Sequence, residues 1–168
     1  MPLEHPDAQY LLSAIGYVEL GMFIDADREL DCIDPDVRHL PDVLDVRVQI
    51  YRGAEKWGLM QAVSKKLAEY DPTSVEWTVN YAYAARRAES LEKAKAILLA
   101  AVERNAEPAV YHFNLACYFC QLGDLAEARI RLAGCFKRDK SYRQVALEDP
   151  DLEPLWESLG TSSSVLEK

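Results

Sequence analysis

The sequence predicts an all-α fold built from repeated helix hairpins, and three observations carry that expectation. Ala, Leu, Glu, Arg and Lys recur throughout a chain of 168 residues that holds only seven Gly and eight Pro, a composition that favours helices over strands. The chain also repeats: Asn80 and Asn114 stand 34 positions apart, and the same register pairs Ala82 with Ala116, Leu91 with Leu125, Ala94 with Ala128 and Leu98 with Leu132. Stepping back by that interval leads from Ala82 to Val48 and Ala14, and from Ala85 to Tyr51 and Tyr17, so the register survives four times without a gap. A period of this length means stacked supersecondary units, none of which can bury its apolar face alone.

Each copy justifies two helices. In the first, expected over 8–20 and 24–33, Ala14 lets a partner backbone approach and Tyr17 fills the gap beside it, while Gly21 supplies the turn. The second copy, 42–54 and 58–70, is the most degenerate, with Arg47 and Ser64 where apolar residues belong, although Tyr51, Trp57 and Pro72 keep the pattern. Between these two copies, "DCIDPDVRHLPDV" carries Pro35 and Pro41, which cut the preceding helix short and imply a stiff connector. The third copy spans 75–87 and 91–104, and the fourth 109–121 and 125–138, with Gly123 at its turn. Beyond it the repeat stops. "SYRQVALEDPDLEPLWESL" offers two short amphipathic stretches, and Val145, Leu147, Leu152, Leu155 and Trp156 are expected to cover the last hydrophobic face. "GTSSSVLEK" is small and polar enough for a flexible tail.

In its fourth copy the chain reads His112-x2-Leu115-Ala116-x2-Phe119, then Ala128-x3-Leu132; the first copy follows through Tyr10, Ala14, Tyr17, Ala26 and Leu30. These columns resemble the tetratricopeptide repeat (TPR) family, whose pattern runs W-x2-L-G-x2-Y, then A-x3-F, then P. The resemblance covers roughly residues 7–140, and D-P-D-L-x-P-L is similar to the closing segment of many bacterial TPR arrays. It implies a right-handed α-solenoid of four TPR helix hairpins (7–40, 41–74, 75–108 and 109–140), C-terminal capping helices within 141–160 and a flexible tail over 161–168.

Composition narrows the function. At 49% hydrophobic residues the chain can bury one substantial core. A net charge of −9 argues against nucleic acid as a generic partner, because phosphate binding rests on Lys and Arg. The N-terminus shows neither a signal-peptide pattern nor a bilayer-length apolar run, so a cytoplasmic protein without membrane insertion is expected, with its four Cys reduced.

The pair Cys117 and Cys120 forms a C-x-x-C, the spacing of metal and redox sites. Three residues within a helix place two side chains on nearly one face, so the helix itself accounts for the spacing. Cys32, Cys135, His5, His39 and His112 supply no second ligand pair, and a redox pair would open a helix rather than sit inside one. No metal or other cofactor is expected. The chain has no nucleophile elbow, phosphate loop or H-E-x-x-H motif, and Asp25, Asp27, Glu29 and Asp31 read as a solvated face. No enzyme activity is expected.

What remains is the groove that the resemblance implies. Its columns read Leu12, Val46, Asn80, Asn114; Ile15, Gln49, Tyr83, Cys117; and Val18, Arg52, Arg86, Cys120. A partner protein or peptide in that groove would meet Asn80 and Asn114 through amides that donate and accept at once, Arg52, Arg86, Tyr83 and Gln49 through polar contacts, and Phe113 as an apolar anchor. The same Asn residues could instead bond between helices, and the Arg residues could pair with Asp42, Asp45 or Glu76. Members of the family that hold chaperone tails use a Lys in the groove, and no Lys stands at the matching positions here. The expected function is therefore a non-enzymatic scaffold or adaptor. The alternatives are a structural protein that self-assembles through its solenoid edges, as a weak homo-oligomer would, and a thiol or metal protein.

Overall fold

The computed structural model describes residues 4–157, which form nine α-helices and one 3-10 helix with no strand among them. The chain is all-α. The helices run α1 (Asp7–Glu19), α2 (Phe23–Cys32), α3 (Pro41–Gly53), α4 (Trp57–Tyr70), α5 (Val75–Ala88), α6 (Leu91–Arg104), α7 (Ala109–Gln121), α8 (Leu125–Arg138) and α9 (Tyr142–Glu148), followed by the 3-10 helix over Pro150–Leu155. All eight repeat helices begin and end within one residue of their expected bounds, because the apolar stripe and turn signals that define a helix are local. The tail expected at 161–168 lies outside the described residues. The chain divides between Ser90 and Leu91 into two compact units, which assigns α5 and α6 to different units.

In the first unit, α1 packs on α2, α2 and α1 on α3, α3 on α4 and α4 on α5. The small residue of α1, Ala14, is fully buried, as are Leu30, Ile50 and Met60, around which the core closes. Burying each such aliphatic chain contributes about 1.5–3 kcal/mol. The α1 turn ends with Gly21 at φ 71°, its N–H on Val18 O (2.9 Å) and the Met22 N–H on Tyr17 O (2.8 Å). The α3 turn repeats those bonds from Glu55 and Lys56, with Glu55 itself at φ 55°, a left-handed conformation that costs a side-chain-bearing residue about 1–2 kcal/mol.

The connector is tied down at several points. Arg38 donates from Nε to Ile33 O (2.5 Å) and from Nη2 to Asp31 O (2.7 Å), which caps the end of α2, and the Asp34 N–H reaches Asp7 Oδ1 (3.0 Å). Ile33 is fully buried between them.

Two expectations need correction in this unit. Asp27 and Asp31 are not simply solvated: being one helical turn apart on α2, they face α3 together and hold Arg47 at 2.8 and 2.7 Å. Arg47, a polar residue in an apolar column, is thus compensated by two carboxylates, with a further bond to the Tyr51 hydroxyl (3.3 Å). Val46 lies in the core at 5% exposure rather than on an open wall, since α3 is covered on that side as well.

In the second unit α7 touches α6, α8 and the 3-10 helix, and eight of its thirteen residues are buried. Asp124 caps α8 by accepting from the Glu127 N–H (3.1 Å), and Gly123 at φ 84° closes the turn before it. Leu152 and Leu155 are fully buried, and Trp156 donates from Nε1 to Ala146 O (3.1 Å). Val145 and Leu147, expected to cover the same face, are 47% and 39% exposed; Ala146 takes the buried place because α9 turns a different edge inward. His112 stands where the repeat pattern has Trp. Its Nε2 lies 2.9 Å from Ala106 O, and since a carbonyl only accepts, Nε2 carries the proton.

Candidate functional site

The first unit holds five of the sequence-selected residues, and three of them, Asn80, Arg52 and Tyr83, come into contact. Asn80 on α5 is buried, and its Oδ1 accepts from Arg52 Nη2 on α3 at 2.5 Å. The Arg52 guanidinium also lies 5.4 Å from the centre of the Tyr83 ring, one turn beyond Asn80. Arg52 itself is exposed, so its remaining N–H groups face solvent from a fixed position. Gln49 bonds Asp45 Oδ2 (3.3 Å), and Asp45 Oδ1 accepts from Trp77 Nε1 (3.0 Å). Asp45, one of the three carboxylates that the sequence offered to the Arg residues, is thus bonded to Gln49 and Trp77 rather than to Arg52. Arg86 is half-buried in the last turn of α5.

Two further residues belong to this region that sequence reasoning did not select. Trp57, the first residue of α4, meets Tyr83 edge-on at 5.8 Å, and Arg87 stacks 4.6 Å over the Trp57 ring. The signal was present in part, because Arg87 follows Tyr83 by one helical turn; the role of Trp57 depends on how α4 packs on α5. Arg52, Arg87 and the nearby Lys56 have no carboxylate partner among the described residues, in a chain with 28 acidic side chains and 19 basic ones. That combination makes the surface locally cationic and aromatic.

The other selected residues lie in the second unit. Asn114 donates from Nδ2 to Val110 O of its own helix (3.0 Å), which leaves its amide only partly committed. Phe113 is 7% exposed, with its ring 5.0 Å from that of Tyr142 on α9. Cys117 and Cys120 are buried, and burial, reinforced by Asp151, raises the Cys120 pKa. Cys135 is pushed up to about 11, mainly by burial. The raised values keep Cys120 and Cys135 as thiols rather than thiolates near neutral pH.

Among the described residues the fold creates a constellation that linear spacing concealed. The Cys117 Sγ and the carboxylates of Asp149 and Asp151 come within 4.8 Å of one another, a set that could hold a cation. Each member has a structural role: Cys117 donates to Asp149 Oδ2 (3.8 Å), Asp149 Oδ1 caps the 3-10 helix at the Asp151 N–H (2.9 Å), and Gln121 donates to Asp151.

Solved structures resemble this helical fold. Two crystal forms of MamA AMB-1 superpose with TM-scores of 0.64 and 0.63 at 16% and 15% identity, covering 95% of this chain in both cases and 86% and 92% of theirs. MamA MSR-1 gives a TM-score of 0.53 at 16% identity over 82% of this chain and 99% of its own. The chain has a TPR-type helical repeat fold. At such identities the likeness concerns the fold alone, and neither protein-family models nor curated proteins match the sequence. No helix among the described residues is long and apolar enough to cross a membrane.

Proposed function

We propose that the protein is a non-enzymatic interaction scaffold that binds an acidic segment of a partner protein on the α3 and α5 surface of its first unit. The observation that carries this reading is the unneutralised Arg52, held by Asn80 and backed by Tyr83. A cation fixed in advance loses little freedom on binding, and a charge-assisted hydrogen bond to it contributes about 1.5–3 kcal/mol. In this reading Arg52 and Arg87 meet carboxylates, Trp57 and Tyr83 offer aromatic faces to the intervening chain, and Gln49 and Arg86 bond along its edge. Asn80 positions Arg52.

A displayed library of random peptides tests this. Selection on the native protein is expected to enrich Asp- and Glu-containing segments, and Arg52→Glu is expected to abolish their capture at temperatures well below its own unfolding transition, which the loss of the bond to Asn80 lowers. Enriched peptides that bind Arg52→Glu as well as the parent would reject the site.

Self-assembly is a second reading, favoured by the apolar surface of the first hairpin. Leu12, Leu20 and Ile24 are 68%, 72% and 69% exposed, apolar side chains that an assembling copy would cover. Sedimentation equilibrium of the parent and of Leu12→Glu with Ile24→Glu distinguishes it. A monomer at every concentration of the parent would reject it.

A further inference from the structure

The first unit holds a cleft of about 420 Å³ that is separate from the Arg52 region and that the scaffold reading does not use. Its wall is formed by the connector, the start of α3 and the second half of α4. Leu67, almost fully buried, gives it an apolar floor together with Leu44, and the exposed ring of Tyr70 stands at one side. That ring is not loose: it meets Trp77 at 6.3 Å, and Trp77 is pinned by its bond to Asp45.

The charges of the wall are one-sided. Arg38 and Lys66 contribute cations to it and His39 an imidazole, and no carboxylate lines it, although acidic residues outnumber basic ones along the chain. Lys66 and His39 have no ion pair among the described residues. Arg38 commits Nε and Nη2 to backbone carbonyls, which fixes the guanidinium while Nη1 makes no hydrogen bond to the described residues. A cavity of this size with a hydrocarbon floor and a few polar groups at its edge has the make-up of a small-ligand site.

We propose that this cleft binds an apolar carboxylate, with its hydrocarbon or aryl group on Leu44, Leu67 and Tyr70 and its carboxylate between Lys66 and Arg38. The apolar floor selects against inorganic phosphate, which needs convergent N–H donors rather than carbon surface. The cationic edge selects against a neutral isostere, because a carboxylate gains charge-assisted hydrogen bonds that an amide does not. The same chemistry is offered by a free aryl or alkyl acid and by the last residue of a peptide chain. The proposal stands independently of the Arg52 site.

The test is a nuclear magnetic resonance titration of the intact protein, read at the His39 ring, the Leu67 amide and the Tyr70 ring. N-acetyl-phenylalaninate is expected to give saturable shifts, with N-acetyl-phenylalaninamide and inorganic phosphate at least about tenfold weaker. Lys66→Glu is expected to weaken the acid by about tenfold or more, equivalent to about 1.4 kcal/mol, while Lys66→Arg retains it. Lys66 is exposed, so neither variant endangers the fold. A free-acid tripeptide ending in Phe that binds more tightly than the single residue assigns the site to chain ends; no gain assigns it to small acids. Equal binding of acid and amide, equal binding of phosphate, or indifference to Lys66→Glu would overturn the proposal. Arg52→Glu is expected to leave these shifts unchanged, so the two sites fail or succeed separately.

Discussion

The ring of Phe23 occupies the place where a side chain on Gly53 would have to be: a Cβ built on Gly53 would lie 2.0 Å from Phe23 Cζ. The first residue of α2 therefore packs directly on the backbone at the end of α3. Helix propensity alone would make Gly53→Ala stabilising by about 1 kcal/mol. The contact reverses the sign, because the aromatic ring must leave its site, and overpacking of this kind costs about 1–3 kcal/mol. Chemical denaturation is expected to show a net loss for Gly53→Ala that Phe23→Leu in the same chain partly relieves.

Arg47 offers a second test, since it joins α3 to both Asp27 and Asp31 of α2. Removing the guanidinium leaves two carboxylates facing each other beside a half-buried surface. Arg47→Ala is expected to cost about 1.5–3 kcal/mol, the range of hydrogen bonds to charged groups. A double-mutant cycle with Asp27→Asn is expected to show coupling above about 0.5 kcal/mol, and additivity would mean that the pair is only a surface contact.

Ser64 and Thr78 are buried, and their hydroxyl oxygens have no hydrogen-bond partner. An unsatisfied buried polar group costs about 1–3 kcal/mol. Ser64→Ala removes the hydroxyl and favours the helix as well. It is expected to raise the thermal midpoint, by an increment equivalent to about 1 kcal/mol; a lower midpoint would mean that the hydroxyl is satisfied in solution.

The acid side of the stability profile is expected to carry a contribution from His112. Burial, with repulsion from Arg138 and Arg131, holds its pKa below the usual imidazole value despite the bond to Ala106. The unfolded chain, with a pKa of about 6.5, then binds more protons than the native one just below that pH. The stabilising contribution is complete above pH about 6.5 and is lost as the pH falls from there through the folded value. His112→Gln keeps a donor for the Ala106 carbonyl and is expected to flatten this slope in pH-dependent denaturation.

Thiol accessibility separates the four cysteines. Cys32 is exposed, while Cys117, Cys120 and Cys135 are buried. Titration with a thiol-reactive disulfide is expected to modify one group rapidly in the native protein and the other three only on unfolding. Rapid reaction at Cys117 or Cys120 would show that the segment over α7 opens readily.

The sequence by itself determined the helices and their turns. Ala14, Tyr17 and Gly21 recur in kind as Ala116, Phe119 and Gly123, and each of these residues states a local requirement, either a close approach, a filled gap or a left-handed turn. Glu55 in the same column shows how far the periodic context can impose that turn on a residue that resists it. The sequence also brought out Asn80, Arg52 and Tyr83 as neighbours across one repeat interval.

Only the tertiary structure decided which partners those side chains have. That Arg47 is met by Asp27 and Asp31, that Asn80 holds Arg52, and that Cys117 reaches Asp149 all depend on residues far apart in the chain. Val145 and Leu147 show the same limit: alternation of apolar residues marked a covering segment but not which edge of α9 turns inward. Periodicity fixes backbone conformation because that is settled within one or two turns of helix. The direction of a side chain's contacts is settled by the docking of whole elements, and no short window of sequence contains that information.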